Sequence, residues 1–400
     1  MSARILFLDH TGALGGAELF LLDLAKTWLG KRKVLLFADG PFRSRLEQCG
    51  VPVEVLDAHH TVKNVARAGR GFAQLRAIPA VVRLARQVAK RAADFDLLFA
   101  NSQKSLVIGA LAAQISGKKL VWYLHDILTA EHFSHLNRRV AVTCGNRFAE
   151  RIFANSHASL GAFVASGGRS KQVSVVYNGI SLPDTPRAAM DEARRRIRSE
   201  LGWGDAKIVG LFSRLAPWKG QHILLQTLSK IPEMKAVFVG APLFGEEVQY
   251  QEELIAITKT LGLTDRVRFL GFREDISELL HAVDFVVHTS ISPEPFGRVI
   301  VEGMLAGKPV IASMAGGACE IIHDGETGCL VPPGDSDALA DILRQLSNQP
   351  DKAQRISQAG RTAAMNNFSL KTMLRGIERE VDAIGNHGRR SAAISPSVPI

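Results

Sequence analysis

Residues 284–312 read DFVVHTSISPEPFGRVIVEGMLAGKPVIA, and this stretch decides the fold. Its opening, 284–288, is a short apolar run that ends in a cluster of Ser and Pro. Such a run predicts a buried strand. Pro293 and Pro295 hold the next residues extended, because proline lacks a donor and biases its predecessor away from the helical region. A helix is expected over 297–307, and a second apolar strand over 309–312. Both strands are apolar nearly throughout, so both faces are covered, as in a parallel sheet flanked by helices.

The same rhythm runs outward in both directions. Downstream of residue 200, strands are predicted at 207–212, 235–240, 266–270 and 328–331, with helices at 219–230, 246–262, 275–282 and 335–348. The first half places strands at 4–9, 33–38, 52–56, 95–100, 119–124, 151–154 and 173–177. Helices at 17–29, 72–92, 104–116 and 156–166 lie between them. The rhythm breaks at 181–206, where a turn-rich segment precedes Arg194, Arg195 and Arg196. The expected class is α/β, with two Rossmann-like domains at 1–185 and 200–368. A final helix at 369–384 is expected to cross back to the first domain. The tail 385–400, with Gly, Ser and Pro but little apolar pattern, is expected to be flexible.

Composition excludes several classes. The 400 residues are 46% hydrophobic and 22% charged, which argues against disorder and coiled coil. Cys49, Cys144, Cys319 and Cys329 are too scattered for a disulfide framework or a zinc site, and suit a cytoplasmic protein. The N-terminal apolar run, Ile5 to Leu8, is too short for a signal peptide core. No stretch approaches the ~20 apolar residues that span a bilayer. Any membrane contact is therefore expected to be peripheral, at the inner face.

The net charge of +10 is unevenly spread. Residues 1–185 hold 24 basic and 13 acidic side chains, whereas 186–400 are nearly balanced. No acid lies between Ala58 and Ala93, where Lys63, Arg67, Arg70, Arg76, Arg83, Arg86, Lys90 and Arg91 occur. Phe72, Leu75, Ile78, Val82 and Leu84 are interleaved at near-helical spacing. One reading of 63–91 is a surface for anionic lipid or a phosphate-bearing acceptor. The other is a helix packed on the sheet with its cations solvated. Nucleic acid is not an expected partner, since no binding motif accompanies the charge.

Three loops carry candidate chemistry. Gly15 and Gly16 end the first strand-to-helix turn, where backbone amides can approach an anion. Arg214 and Lys219 stand five residues apart before a helix, and such cations suit a pyrophosphate. Glu294 lies outside the helix that starts near Gly297, whereas Glu302 lies within it. Two carboxylates at different depths can accept from two sets of hydroxyls. A carboxylate pair for hydrolysis is the competing chemistry, and an ordinary helix with surface acids is the plain alternative.

Together these motifs resemble the retaining glycosyltransferases of the GT-B fold, family 4 (glycosyl transferases group 1), over roughly residues 3–384. The Gly-Gly loop, R-L-x-x-x-K-G, E-x7-E and the segment from Gly316-Gly317 to Gly328 stand in the family's order. The resemblance implies two domains facing a central cleft. It implies that Arg214 and Lys219 neutralise the donor diphosphate, and that Glu302 holds the ribose. Glu294 would face the transferred sugar, with the amides of Phe296 and Gly297 nearby, and Arg298 and Val299 at the start of the helix would also bind the donor. The 271–276 loop, including Arg273 and Ile276, would hold the base. Gly15 and Gly16 would approach the phosphates, and His125 would line the site near the anomeric carbon.

A hexose-type sugar on a UDP-linked donor, a saccharide or lipid-linked hydroxyl acceptor and retention of configuration are what the resemblance implies. The products would be polysaccharide, glycolipid or other glycoconjugate. No cofactor beyond the nucleotide-sugar co-substrate is expected, and no metal, since cations and helix dipoles can neutralise the leaving group. Asp94-Phe-Asp96 and Asp335-Ser-Asp337 are read as structural. Other readings are a UDP-sugar epimerase, a phosphorylase, or a non-catalytic binder of polyanions or nucleotide sugars. Three positions depart from the family: Ser213, Gly303 and Ser181.

Overall fold

A computed structural model describes residues 2–56, 78–131, 133–183, 185–243 and 245–392. The chain divides into two compact units, Met1–Gly179 with Leu370–Ile400, and Ile180–Ser369.

The first unit is built on a seven-stranded parallel sheet of order β3-β2-β1-β4-β5-β6-β7. Its strands are β1 (Ile5–Asp9), β2 (Arg32–Leu36), β3 (Val53–Val55), β4 (Leu97–Ala100), β5 (Lys119–Leu124), β6 (Arg151–Ala154) and β7 (Val173–Val175). Alternate residues feed two separate cores. Leu6, Leu8, Leu98 and Trp122 pack on one face, while Ile5, Phe7, Phe99 and Tyr123 pack on the other. A strand buried on both faces must be apolar at every position, which is why these runs do not alternate.

The second unit carries a six-stranded parallel sheet of order β10-β9-β8-β11-β12-β13. Its strands are β8 (Lys207–Phe212), β9 (Met234–Val239), β10 (Val267–Gly271), β11 (Phe285–His288), β12 (Val310–Ser313) and β13 (Cys329–Val331). In each sheet the strand order reverses once, between β1 and β4 and between β8 and β11. Loops leaving the carboxyl ends on either side of such a reversal part from each other and leave a crevice.

The domain boundary expected across 181–206 falls at its start instead. The helix Arg187–Leu201 belongs to the second unit because its arginines are anchored there. Arg194 donates to the carbonyls of His281 and Ala282 at 2.9 Å and to Asp284 at 2.8 Å. Arg198 reaches the same carboxylate at 2.6 Å. These cations satisfy carbonyls that the end of the helix Ile276–Ala282 leaves open.

The tail also differs from expectation. The last helix runs Leu370–Ala392, so its backbone passes through residues 385–392, where a flexible segment was expected. Met373, Ile377, Val381 and Ile384 drive it by packing into the first unit. No proline interrupts the pattern before Pro396. Residues 393–400 lie outside the described residues.

Residues 57–77, with Lys63, Arg67, Arg70 and Arg76, likewise lie outside the described residues. From Ile78 the basic stretch forms the helix Ile78–Arg91. Its apolar face, Leu84, Ala85, Val88 and Ala89, is buried in the first unit's core. Arg83, Arg86 and Lys90 are exposed, and Arg91 pairs with Glu54 at 2.5 Å. The apolar face is thus packed in the first unit's core, and Arg83, Arg86 and Lys90 are presented to solvent together with Ile78, Pro79 and Gln87. No described helix is long and apolar enough to cross a membrane.

Candidate active site

In the second unit, the loops after β8 and β11 carry the residues singled out from sequence. The β8 loop ends in the turn Pro217–Lys219 followed by Gly220 at φ +67°. A Cβ on Gly220 would meet the Thr289 carbonyl oxygen at 2.0 Å. The missing side chain lets the two loops zip together. Thr289 Oγ1 donates to the Lys219 carbonyl at 3.0 Å, and the Ile291 amide to that of Trp218 at 2.8 Å. This juxtaposition delivers Lys219 Nζ to Glu294 Oε2 at 2.5 Å. The ammonium also lies 4.1 Å from the Trp218 ring centroid.

Glu294 is shaped from the other side by Gly316 and Gly317. The Gly317 amide donates to the Glu294 carbonyl at 2.8 Å. Gly316 takes φ +61°, and a Cβ there would strike the same carbonyl at 2.3 Å. His288, the last residue of β11, and Ser290 each reach Glu294 Oε2 at 3.2 Å. Burial pushes the Glu294 carboxyl up, but Lys219 and His288 override it and hold the group well below the usual carboxylate range. Glu294 is therefore a fixed anion at neutral pH.

Arg214 and Lys219, read as one cationic pair, rest on separate carboxylates. Arg214 Nε lies 3.1 Å from Glu247 in the helix Gly245–Thr260. Glu302 lies in the helix Arg298–Leu305, with Arg298 3.7 Å from it on the same face. Gly297 caps that helix at φ +94°, and Val299 is half-buried in its first turn. Phe296 is buried edge-on against Phe368, with centroids 5.8 Å apart, which anchors the backbone beside Glu294. In the loop after β10, Arg273 grips Asp275 with two contacts of 2.7 and 2.5 Å, just before Ile276 opens a helix.

The first unit presents a second cluster at its own reversal. Asp9 ends β1, Asn101 follows β4 and His125 follows β5. Asn101 donates from Nδ2 to Asp9 at 2.6 Å and to the Ala17 carbonyl at 3.0 Å. Both partners only accept, so the amide orientation is fixed and Oδ1 faces His125 Nε2 at 2.9 Å. Nε2 must then carry a proton, and the neutral ring holds its lone pair on Nδ1. His125 also packs edge-on to Phe20 and tilted against Tyr123, with centroids 4.9 and 4.6 Å away.

Gly15 caps the helix Gly16–Thr27. Glu18 lies in that helix's first turn, with its carboxyl beside the Gly15 backbone. Burial, and next the Asp9 charge, push the Glu18 carboxyl up to about 8.

Sequence reading missed His288, Ser290, Glu247, Asp9, Asn101 and Glu18. One signal was available for three of them. Asp9, Asn101 and His288 are polar residues at the carboxyl ends of otherwise apolar strands, where α/β folds place their sites.

Two family models together cover most of the chain. Residues 193–363 match "Glycosyl transferases group 1", and residues 14–183 match "Glycosyltransferase Family 4". The crystal structure of Anabaena HepE in complex with UDP-glucose is 43% identical, with a TM-score of 0.84, over 95% of this chain and 100% of that one. The chain belongs to the GT-B glycosyltransferases. Among curated relatives, spore coat protein SA of Bacillus subtilis is 35% identical over 52% of this chain and 58% of that protein. A GDP-mannose-dependent phosphatidylinositol monomannoside mannosyltransferase of Mycolicibacterium smegmatis is 28% identical over 66% of this chain and 70% of that one. The chain thus spans between 58% and 70% of the length of these two relatives.

Two departures of this glycosyltransferase from the family pattern have local reasons. Ser213 uses its hydroxyl to accept from Gln221 at 2.9 Å, bracing the loop that bears Arg214. At Gly303, a Cβ would meet Val310 at 3.0 Å and Val286 at 3.1 Å, so the larger strand residues here take the room of an alanine methyl. Nothing in the structure explains Ser181. The two D-x-D strings are structural in this glycosyltransferase. Asp96 binds Arg4 at 2.5 Å, Asp94 binds Lys31 at 3.3 Å, and Asp335 caps the helix Ser336–Asn348.

Proposed function

We propose that the chain moves a hexose-type sugar from a UDP-linked donor to a hydroxyl of a saccharide or lipid-linked acceptor, with retention and without a metal. The Lys219–Glu294 contact beside the β8/β11 reversal carries the reading. It sets one cation and one permanently ionised carboxylate side by side, a match for a diphosphate next to a hydroxyl-bearing ring. The likeness to HepE, whose crystals hold UDP-glucose, supports the choice of nucleotide.

In this reading Lys219 and Arg214 turn to the diphosphate, leaving Glu294 to the sugar and Glu302 to the ribose. The bond from the anomeric carbon to the diphosphate oxygen breaks, and its electron pair leaves with the diphosphate. The acceptor oxygen enters on the same face, and its proton passes to the departing oxygen. His125 is proposed to contact the sugar, and the Gly15–Gly16 amides the phosphates. The loop holding Arg273 and Ile276 takes the base. Arg83, Arg86 and Lys90 offer an electrostatic surface for anionic lipid that carries the acceptor.

The test is to screen UDP-, GDP- and ADP-linked hexoses by thermal shift, then follow nucleotide release with acceptor present. A UDP-sugar that raises Tm and is consumed only with acceptor is the expected result. Formation of an isomeric UDP-sugar without acceptor would overturn transfer in favour of epimerisation. An inverted anomeric centre in the product would sink the front-face step.

A further inference from the structure

The Glu294 carboxylate is gripped through one oxygen. Lys219 Nζ at 2.5 Å, His288 Nε2 at 3.2 Å and Ser290 Oγ at 3.2 Å all converge on Oε2. Ser290 Oγ also touches His288 Nε2 at 3.1 Å, so these two partners brace each other. A carboxylate only accepts, so the proton of His288 in this contact sits on Nε2.

The three partners differ in how they are held. His288 ends β11 and Ser290 follows two residues later, and both are buried. Lys219 sits at the end of a flexible four-carbon stem and is the cation assigned to the donor diphosphate. It cannot neutralise a phosphate and Glu294 at full strength together. When it turns away, Glu294 keeps its burial and loses its strongest partner, a costly state for an anion. Something fixed must then hold Oε2.

We propose that His288 and Ser290 are positioning residues for Glu294. They hold Oε2 when Lys219 engages the diphosphate, and so keep Oε1 aimed at the hydroxyls of the transferred sugar. This rests on the reading of Glu294 as the sugar's partner. It assigns to a strand-end histidine the job of separating sugar recognition from phosphate recognition.

Calorimetric titration with UDP and with UDP-glucose tests it on the full chain. His288→Leu is expected to weaken UDP-glucose by about tenfold, the worth of one hydrogen bond to a charged group, and to leave UDP binding at its wild-type value. Retained UDP binding also reports that the variant is folded. His288→Gln keeps an N–H donor and is expected to recover most of the lost affinity, while Ser290→Ala shows a smaller loss of the same kind. Equal losses for UDP and UDP-glucose in His288→Leu, no loss at all, or no recovery in His288→Gln would overturn the positioning role. Glu294→Gln separates the two levels. If it binds UDP-glucose as wild type does, the placement of Glu294 on the sugar falls and the proposal with it. If it weakens UDP-glucose and His288→Leu does not, only the positioning role falls.

Discussion

Lys219 Nζ and Glu294 Oε2 sit 2.5 Å apart, with side chains only 14% and 13% exposed. Each is the other's main compensation for lost water. Removing one partner of such a pair typically costs about 3–5 kcal/mol, because an uncompensated charge stays behind. Lys219→Ala is therefore expected to lower Tm more than the double variant Lys219→Ala, Glu294→Ala. Thermal unfolding of both, with each single variant, closes the cycle; additive losses would mean the pair is uncoupled.

Glu294 also sets a pH dependence. Its folded value lies below the ordinary 4.5, so the stability it lends is full above that pH and is lost as pH falls through the folded value. Glu294→Gln should flatten the acid limb of a Tm-against-pH curve and change little of its shape near neutrality.

Glu18 has the opposite sign. Its folded value is raised from 4.5 to about 8, so the folded state holds a proton that the unfolded chain has released. Stability is complete below pH 4.5 and declines as pH rises towards 8. Glu18→Gln keeps the size and a polar oxygen of the side chain and removes the titration. Its Tm relative to wild type is expected to climb between about pH 5 and about pH 8; a constant difference would refute this.

Gly316 tests the backbone that carries Glu294. Gly316→Ala must tolerate φ +61° and a Cβ 2.3 Å from the Glu294 carbonyl. A loss of about 1–3 kcal/mol is expected from the strain, with weaker UDP-glucose binding. Gly325→Ala is the control, since it has a similar φ of +73° and open space around its Cβ. Equal effects would show that the contact with Glu294 is irrelevant.

Membrane contact by the helix Ile78–Arg91 is expected to be mainly electrostatic, because Leu84 and Val88 are already buried and Ile78 is its one exposed large apolar side chain. Flotation with anionic vesicles is expected to fall when Arg83, Arg86 and Lys90 are changed to Gln, and to fall further with salt. Binding that survives both would refute this surface.

Much of the fold was legible because burial on both faces forces unbroken apolar runs, as in Ile5–Leu8 and Phe285–Val287. Element types followed from those runs. The unit boundary was misplaced because Arg194 and Arg198 look like solvated charge in sequence, whereas they are spent on carbonyls some 85 residues away. The candidate site was partly legible: Lys219 and Glu294 stood out by spacing. Their partners did not, since His288 and Asn101 gain meaning only when neighbouring strands bring distant loops together.

The helix Leu370–Ala392 completes a hydrophobic face begun by Ile5, Phe7 and Phe20. Its packing residues, Met373 to Ile384, leave the ribosome after the whole second unit has been made. A nascent first unit must therefore wait with an apolar groove uncovered, and for that interval it is a natural client for chaperones.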